Sequence, residues 1–338
     1  MRALVFSDVH IKPDNINHID LLIGKLKKII RSKNIDTVIV LGDILHSHER
    51  LHIQCMNKAC DLILKLCNLI KGNVYLLVGN HDMIDSCQFL STHHWMNSLK
   101  YWEGVEVIDT PTSIEDGIIL CPYVEKGRFT EALDMIQEWK NAKIVFAHQE
   151  VRGCSYNGRV SDSSDVWLDA YPMLISGHIH MYQKHNNIYY VGSIHQVNFG
   201  DGDRSIALVV DTNDTNCTIY EEIDVILPKK ISCVADASSI SGISSLDIEK
   251  MKPTYNTVRL VINGTPEDVK TIKKGTKYKQ LIQSGIKVVF RNSERSQQSS
   301  FQKTPDKFMT ILEKLIKKES NKYLDEIFLR FSSSEQRE

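Results

Sequence analysis

Seven short apolar runs recur along the first two-thirds of the chain: Thr37 to Leu41, Val74 to Val78, Ile118 to Cys121, Ile144 to Ala147, Met173 to Ile175, Ile188 to Val191 and Ala207 to Val210. With the opening run Leu4 to Ser7, each is short enough for one strand, bounded by turn or helix signals, and apolar on both alternating faces. Helical patterns lie between the early runs, over Ile19 to Ile30, Met56 to Ile70 and Thr130 to Trp139. In the second, Met56, Cys60, Ile63, Cys67 and Ile70 recur at spacings of three and four, which predicts a core-facing stripe. Strands and helices alternating in this way predict an α/β fold, a β-sandwich flanked by helices.

Around Tyr220 the pattern changes. Pro228-Lys229-Lys230 and the Ser-rich stretch through Ser245 read as a domain junction. Beyond it, Thr257 to Ile262 predicts a strand, Thr265-Pro266-Glu267-Asp268 a helix start with Pro at the first helical position, and Ile286 to Arg291 a second strand. This is a small β-α-β unit. After the polar stretch Asn292 to Gln302, Thr304-Pro305 opens a helical tail in which Phe308, Leu312, Leu315, Ile316, Tyr323, Leu324, Ile327 and Phe328 repeat at helical spacing. The expected organisation is a main domain over 1–222, a smaller one over 223–300 and a helical tail over 301–338.

Composition is that of an ordinary globular protein, 338 residues with 42% hydrophobic and 25% charged. No stretch approaches the ~18 consecutive apolar residues of a spanning helix, so a soluble, cytoplasmic protein is expected. The eight cysteines contain no Cys-x-x-Cys pair, which argues against a zinc knuckle or a disulfide framework and for reduced, mostly buried thiols. The net charge of −1 conceals a polarity. Residues 251–330 hold 17 Lys and Arg against 8 Asp and Glu, whereas residues 1–250 hold 23 against 32. The basic segment suits contact with a polyanion, although a Lys-rich solvated helix would look the same.

The candidate chemistry lies at the ends of five predicted strands. There the sequence reads Asp8-Val9-His10, Gly42-Asp43-Ile44-Leu45-His46, Gly79-Asn80-His81-Asp82, His148, and Gly177-His178-Ile179-His180. Alternation along an extended strand would place Asp8 and His10 on one side, within reach of one ion. In α/β sheets, ligands gather beyond the carboxyl ends of the strands, where residues distant in sequence converge. Glycines 42, 79 and 177 fit sharp exits that leave room beside an ion or phosphate. One such motif is weak, but five in succession predict a metal centre.

This series, Asp-x-His, Gly-Asp, Gly-Asn-His-Asp, His and Gly-His-x-His, resembles the calcineurin-like metallophosphoesterase superfamily. The resemblance implies that Asp8, His10 and His180 bind one divalent metal, that Asn80, His148 and His178 bind a second, and that Asp43 bridges them. Two such ions, ~3.5–4 Å apart, grip a phosphoryl oxygen and activate water. His81 resembles the catalytic histidine that protonates the departing alkoxide, with Asp82 to orient it. His46 matches a second histidine of the nuclease members, and His195, which matches no ligand position and is read as structural or at the surface, lies in a strand-end loop that resembles the family's Gly-Ser segment, from which it would approach substrate. The remaining histidines, 18, 48, 52, 93, 94 and 185, match no ligand position.

Protein phosphatases of this superfamily would show Gly-Asp-x-x-Asp-Arg-Gly, and Gly42 to His48 lacks the Asp-Arg pair. The chain is more similar to the SbcD-type nuclease subunit of double-strand-break-processing complexes, of the compact kind found in phages. Tyr190-Val191-Gly192-Ser193, Asn198-Phe199-Gly200-Asp201 and the β-α-β unit ending in Val288-Val289-Phe290-Arg291 carry that likeness. It implies a DNA exonuclease and endonuclease of repair and recombination, using two divalent ions, manganese by family habit. It also implies a small capping domain that contacts DNA, a tail that docks on a coiled-coil ABC-type, SbcC-like ATPase, and room for a homodimer. For a viral protein the compartment would be the host cytoplasm. The alternative from the same metal motifs is a phosphoesterase acting on small phosphodiesters or phosphoproteins.

Overall fold

The computed structural model describes residues 1–48, 50–115, 117–156, 158–202, 204–212, 218–252 and 256–292. The expected helical tail therefore lies outside the described residues. In the first compact unit, which holds residues 1–232 together with 251–259 and 285–287, the chain begins with β1 (Arg2–Phe6), α1 (Ile16–Ser32), β2 (Thr37–Val40), α2 (Ile53–Cys67), β3 (Val74–Leu77) and β4 (Val105–Ile108). It continues through β5 (Thr112–Glu115), β6 (Ile118–Cys121), α3 (Phe129–Leu133), β7 (Ile144–Ala147), a short hairpin of β8 (Ser155–Tyr156) and β9 (Arg159–Val160), and β10 (Met173–Ser176). It then runs through β11 (Gln183–His185), β12 (Ile188–Tyr190), β13 (Ile206–Asp211) and β14 (Thr218–Asp224). Two six-stranded sheets result, ordered β14-β13-β1-β2-β3-β4 and β11-β12-β10-β7-β6-β5. Their centres are parallel: β1 to β4 in the first, and β6, β7, β10 and β12 in the second.

Alternation explains why each central strand is apolar throughout. Ala3 and Val5 of β1 join Ile144 and Phe146 of β7 in the core between the sheets, while Leu4 and Phe6 turn to the opposite face and pack with Ile19, Leu22 and Leu26 of α1 and Ala59 and Leu62 of α2. Val145 and Ala147 of β7 likewise turn outward, onto Phe129, Trp139 and Trp167. With both faces buried, no strand can show the polar alternation of a half-exposed sheet. The expected sandwich flanked by helices is the observed architecture.

Several boundaries differ from expectation. The buried stripe of α2 is Cys55, Ala59, Leu62, Ile63 and Leu66, turned by about one residue from the predicted one, with Cys60 and Cys67 only half-buried. Two overlapping apolar stripes share this helix, and periodicity cannot tell which is innermost. The helix predicted over Thr130 to Trp139 is only α3, which ends at Leu133; turns follow, Glu138 adopts a left-handed conformation, φ 58°, ahead of a 3-10 turn over Trp139–Asn141, and the Asp134 carboxylate accepts the Trp139 indole N–H at 2.7 Å. All seven described cysteines are free, three of them buried. No helix among the described residues is long and apolar enough to cross a membrane.

Of the described residues, the second compact unit comprises 233–250, 260–284 and 288–292. Along this part of the chain run β15 (Lys230–Asp236), α4 (Ser245–Met251), β16 (Thr257–Gly264), α5 (Pro266–Lys274), α6 (Thr276–Gln283) and β17 (Lys287–Asn292), with sheet order β15-β16-β17. The stretch read as a junction thus contains a strand, whose largely exposed side chains hide it from a hydrophobicity pattern. The predicted helix is two helices divided at Gly275. Its start is as expected. Thr265 caps α5 by accepting from the Asp268 N–H, the Asp268 carboxylate accepts from the Thr265 N–H at 2.8 Å, and Pro266 opens the first turn.

Candidate metal centre

Beyond the strands, the loops after β1 and β2 continue side by side: Asp8 N–H donates to Gly42 O at 3.1 Å and His10 N–H to Asp43 O at 2.9 Å. This is not an extension of the strand. Asp8, His10, Asp43 and His178 all lie at positive φ, between 42° and 73°. Alternation therefore does not bring Asp8 and His10 together, as had been expected; left-handed turns do. Non-glycine residues rarely hold this conformation, and such strain concentrates at functional sites. Asn80 and His81 sit on a single 3-10 turn, Asn80–Asp82.

Two glycines serve the loops and not an ion. A Cβ on Gly79 would lie 2.4 Å from the Asp43 backbone nitrogen, and one on Gly177 would lie 2.0 Å from Ser7 Oγ and 2.9 Å from His148 Nδ1. The space they leave is filled by neighbouring loops and by the ligand candidates themselves, which corrects the expectation of room for an ion or phosphate.

The structure brings all seven predicted ligands together. On one side, His10 Nε2 and His180 Nε2 are 3.0 Å apart, each 3.6 Å from Asp8 Oδ1. On the other, Asn80 Oδ1 lies 3.2 Å from His148 Nε2 and 2.9 Å from His178 Nδ1. Asp43 Oδ2 stands between the groups, 3.5 Å from His10 Nε2 and 3.3 Å from His148 Nε2. Asp8 Oδ1 is buried and accepts no hydrogen bond. A buried carboxylate oxygen without a donor, facing imidazole nitrogens that face one another, is a donor set shaped for a cation. The residues fit divalent metal.

Electrostatics agree with that fit. Burial acts to raise the Asp8 carboxyl, but His10, His148 and His180 hold it at about 2. Asp43 is likewise kept well below the usual carboxylate range, burial notwithstanding, chiefly by His148. Burial disfavours charge on His148, yet Asp43 and Asp8 lift it to about 9, whereas burial and the nearby His148 bring His178 to about 4. Without a cation, imidazolium must compensate the carboxylates.

The catalytic candidates are arranged differently from expectation in one respect. His81 and His46 line a cavity of about 740 Å³ together with His10, Asp43, Asn80, His178 and His180. Asp82 does not orient His81. It is buried and accepts from the backbone N–H groups of Gly79, Ile44 and Leu45 and from the Trp95 indole at 2.8 Å. Burial, then the Asp43 charge, raises it to about 7. His81 is held instead by the carbonyl of His46, 2.8 Å from its Nδ1. A carbonyl only accepts, so Nδ1 carries the proton and Nε2 is the free atom.

His195 is 2% exposed and does not approach the cavity; its Nε2 lies 2.5 Å from Val9 O and 3.3 Å from Asn15 Nδ2, bracing the loop that carries Asp8 and His10. Residues that the motifs did not single out also touch the site, Glu150 and Tyr123 at His178 among them. Asp201 Oδ2 lies 3.5 Å from His180 Nδ1, His48 stacks on His81 at 4.4 Å, and Tyr156 lies parallel to His178 at 6.3 Å. Only Asp201 had a signal, its place in the Asn198-Phe199-Gly200-Asp201 segment.

Parallel-centred sheets with this donor array at their carboxyl edge define a metal-dependent phosphoesterase. Residues 1–182 match the calcineurin-like phosphoesterase family, and the chain belongs to it. Among its relatives, a protein named as a phosphoesterase, 244L of Invertebrate iridescent virus 6, is 37% identical over 284 residues, 81% of this chain and 97% of that one. A protein similarly named, 078R of Invertebrate iridescent virus 3, is 35% identical over 300 residues, 86% of this chain and 84% of that one. Exonuclease subunit 1 of Enterobacteria phage T4 is 26% identical over 214 residues, 60% of this chain and 61% of that one. The solved E. coli phosphoesterase Yfce aligns with a TM-score of 0.32 at 10% identity, over 67% of this chain and all of that one.

Proposed function

We propose that this phosphoesterase is a two-metal DNA nuclease, the nuclease subunit of an SbcCD-like repair and recombination complex, with manganese as its ion. The observation that carries the two-ion reading is the single oxygen, Asp43 Oδ2, standing between two sets of donors. The DNA reading is supported by the likeness to the phage exonuclease subunit. It is supported too by the segment Gly42 to His48, which offers no arginine to a phosphorylated protein.

When bound, divalent ions supply polarisation of the phosphoryl group and a deprotonated water at neutral pH. Asp8, His10 and His180 would hold the first ion and Asn80, His148 and His178 the second. The chain's own residues do the rest. His81 presents Nε2 to the cavity with its other nitrogen fixed; as imidazolium, with a proton on each ring nitrogen, it would give the Nε2 proton to the departing oxygen and be left neutral with Nδ1–H on the His46 carbonyl, burial lowering its hold on that second proton. His46 supplies the carbonyl that fixes it, and its own Nδ1 lies 3.2 Å from His10 Nδ1. The apolar stripe from Phe308 to Phe328 is the segment we assign to an ABC-type ATPase partner.

The test is incubation of a supercoiled plasmid and an end-labelled duplex with the protein and Mn²⁺, with and without the ATPase. Nicking or end resection, abolished by chelation, is the expected result. Hydrolysis of a small phosphodiester with both DNAs left intact would favour the alternative phosphoesterase reading.

A further inference from the structure

One residue before Asn198, which lines the cavity, two ammonium groups share one carbonyl. Lys12 Nζ donates to Val197 O at 3.0 Å and Lys230 Nζ donates to the same oxygen at 2.5 Å. The two cations are therefore close neighbours, and among the described residues neither has a carboxylate within ion-pair distance. Two further cations stand nearby, in the same unit: the Arg259 guanidinium lies 4.3 Å over the Phe199 ring, and Lys287, 3.8 Å from Asp14, adds its field at Lys230. Burial, then the Lys12 charge, lowers the affinity of Lys230 for its proton. The charges of Asp14 and Asp201 act on Lys230 in the opposite direction, Asp14 ahead of Lys287, but both carboxylates have other partners. Asp14 faces Lys287, while Asp201 accepts from the N–H groups of Val197 and Asn198 and faces His180.

Like charges set side by side repel, and an anion placed between them removes the repulsion. Each ammonium has three donors and spends one on Val197, so both keep N–H groups for an anion's oxygens. The carbonyl they share belongs to a loop whose next residues, Asn198, Gly200 and Asp201, line the catalytic cavity. That loop is tied to a predicted ligand through Asp201 and His180. Val197, Lys12 and Lys230 are not among the residues that line the cavity, so meeting them takes a substrate that runs past Asn198, as a chain carrying a second phosphate can.

We infer that Lys12 and Lys230 form a subsite for a non-scissile phosphate of a polynucleotide, which makes the site selective for a chain of phosphodiesters over an isolated one. The inference rests on the nuclease reading and names the part of the substrate that it requires.

The test compares hydrolysis of an oligonucleotide duplex with that of the p-nitrophenyl ester of thymidine 5′-phosphate, which has one phosphate, by the full chain with Mn²⁺. Lys12→Gln and Lys230→Gln should each lose roughly tenfold in kcat/KM on the duplex, mainly through KM, and several-fold less on the ester. Lys12→Arg and Lys230→Arg, which keep the charge, should restore duplex hydrolysis. The double Gln variant should flatten the slope of log affinity against log salt by about 1.8. Parallel losses on both substrates would reduce the lysines to supports of the loop and overturn the subsite, as would undiminished duplex hydrolysis in the double variant. A wild-type protein that hydrolyses the ester but no duplex overturns the nuclease reading, and the subsite with it.

Discussion

Asn80 and His81 are adjacent yet meet different partners, the one between two imidazoles and the other against a carbonyl. Replacing His81 by Ala should cost about 10²- to 10⁴-fold in turnover with metal content intact, as for a positioned proton donor. Replacing Asn80 by Ala should instead lower bound metal, and excess Mn²⁺ should partly restore both metal and rate. Metal content by mass spectrometry beside the nuclease rate distinguishes them; loss of metal in His81→Ala would make that residue a ligand. Away from the site, Asp109 offers a pH test. Burial works against its charge, but hydrogen bonds from His94 and Lys100 hold it at about 2. Its folded value lies below the usual one, so its contribution is full above pH ~4 and is lost as pH falls toward 2. Asp109→Asn should therefore melt earlier than wild type at pH 7, by on the order of 1 kcal/mol given a partly exposed Lys100, and the gap should close over that window. At this scale the convergence of the ligand candidates was legible, because residue types at strand ends reveal a site. The role of Asp82 was not, nor was the turning of His195 away from the cavity, since a sequence does not show which way a side chain turns.

Strands and helices were legible where burial on both faces wrote itself into the chain, as in β2, β6 and β7. They were illegible where the side chains are exposed, as in β15, or where a helix stops without a compositional sign, as α3 does at Leu133. The loops of the site follow neither rule. Gly79→Ala would drive a methyl group into the Asp43 backbone, so we expect reduced metal affinity and a lower melting temperature even though no ligand is changed. Calorimetry with and without Mn²⁺ would show it, and wild-type behaviour would mean the loop can yield. In the second unit, Thr265→Ala removes the cap of α5. It should cost about 1 kcal/mol, read as an earlier urea transition, while leaving metal binding untouched.

At the scale of the molecule, the predicted ligands span Asp8 to His180, so the metal centre ties together the loops of both sheets. Saturating divalent metal at about a hundredfold its dissociation constant should stabilise the chain by about 2.7 kcal/mol, several degrees in melting temperature, with EDTA reversing the shift. Asp43→Ala should abolish the shift, since its oxygen serves both sets of donors; an unchanged shift would remove Asp43 from the centre. The order of the first sheet has a consequence for synthesis. β1 sits between β2 and β13, with Arg2 opposite Asp211. During translation the first strand can acquire one neighbour early, but the other is some two hundred codons away. At roughly 5–20 residues per second, that flank stays open for about 10–40 s on the ribosome. A nascent chain carrying a bare hydrophobic edge for so long is a natural client for a holding chaperone, and its yield should depend on that help more than its final stability would suggest.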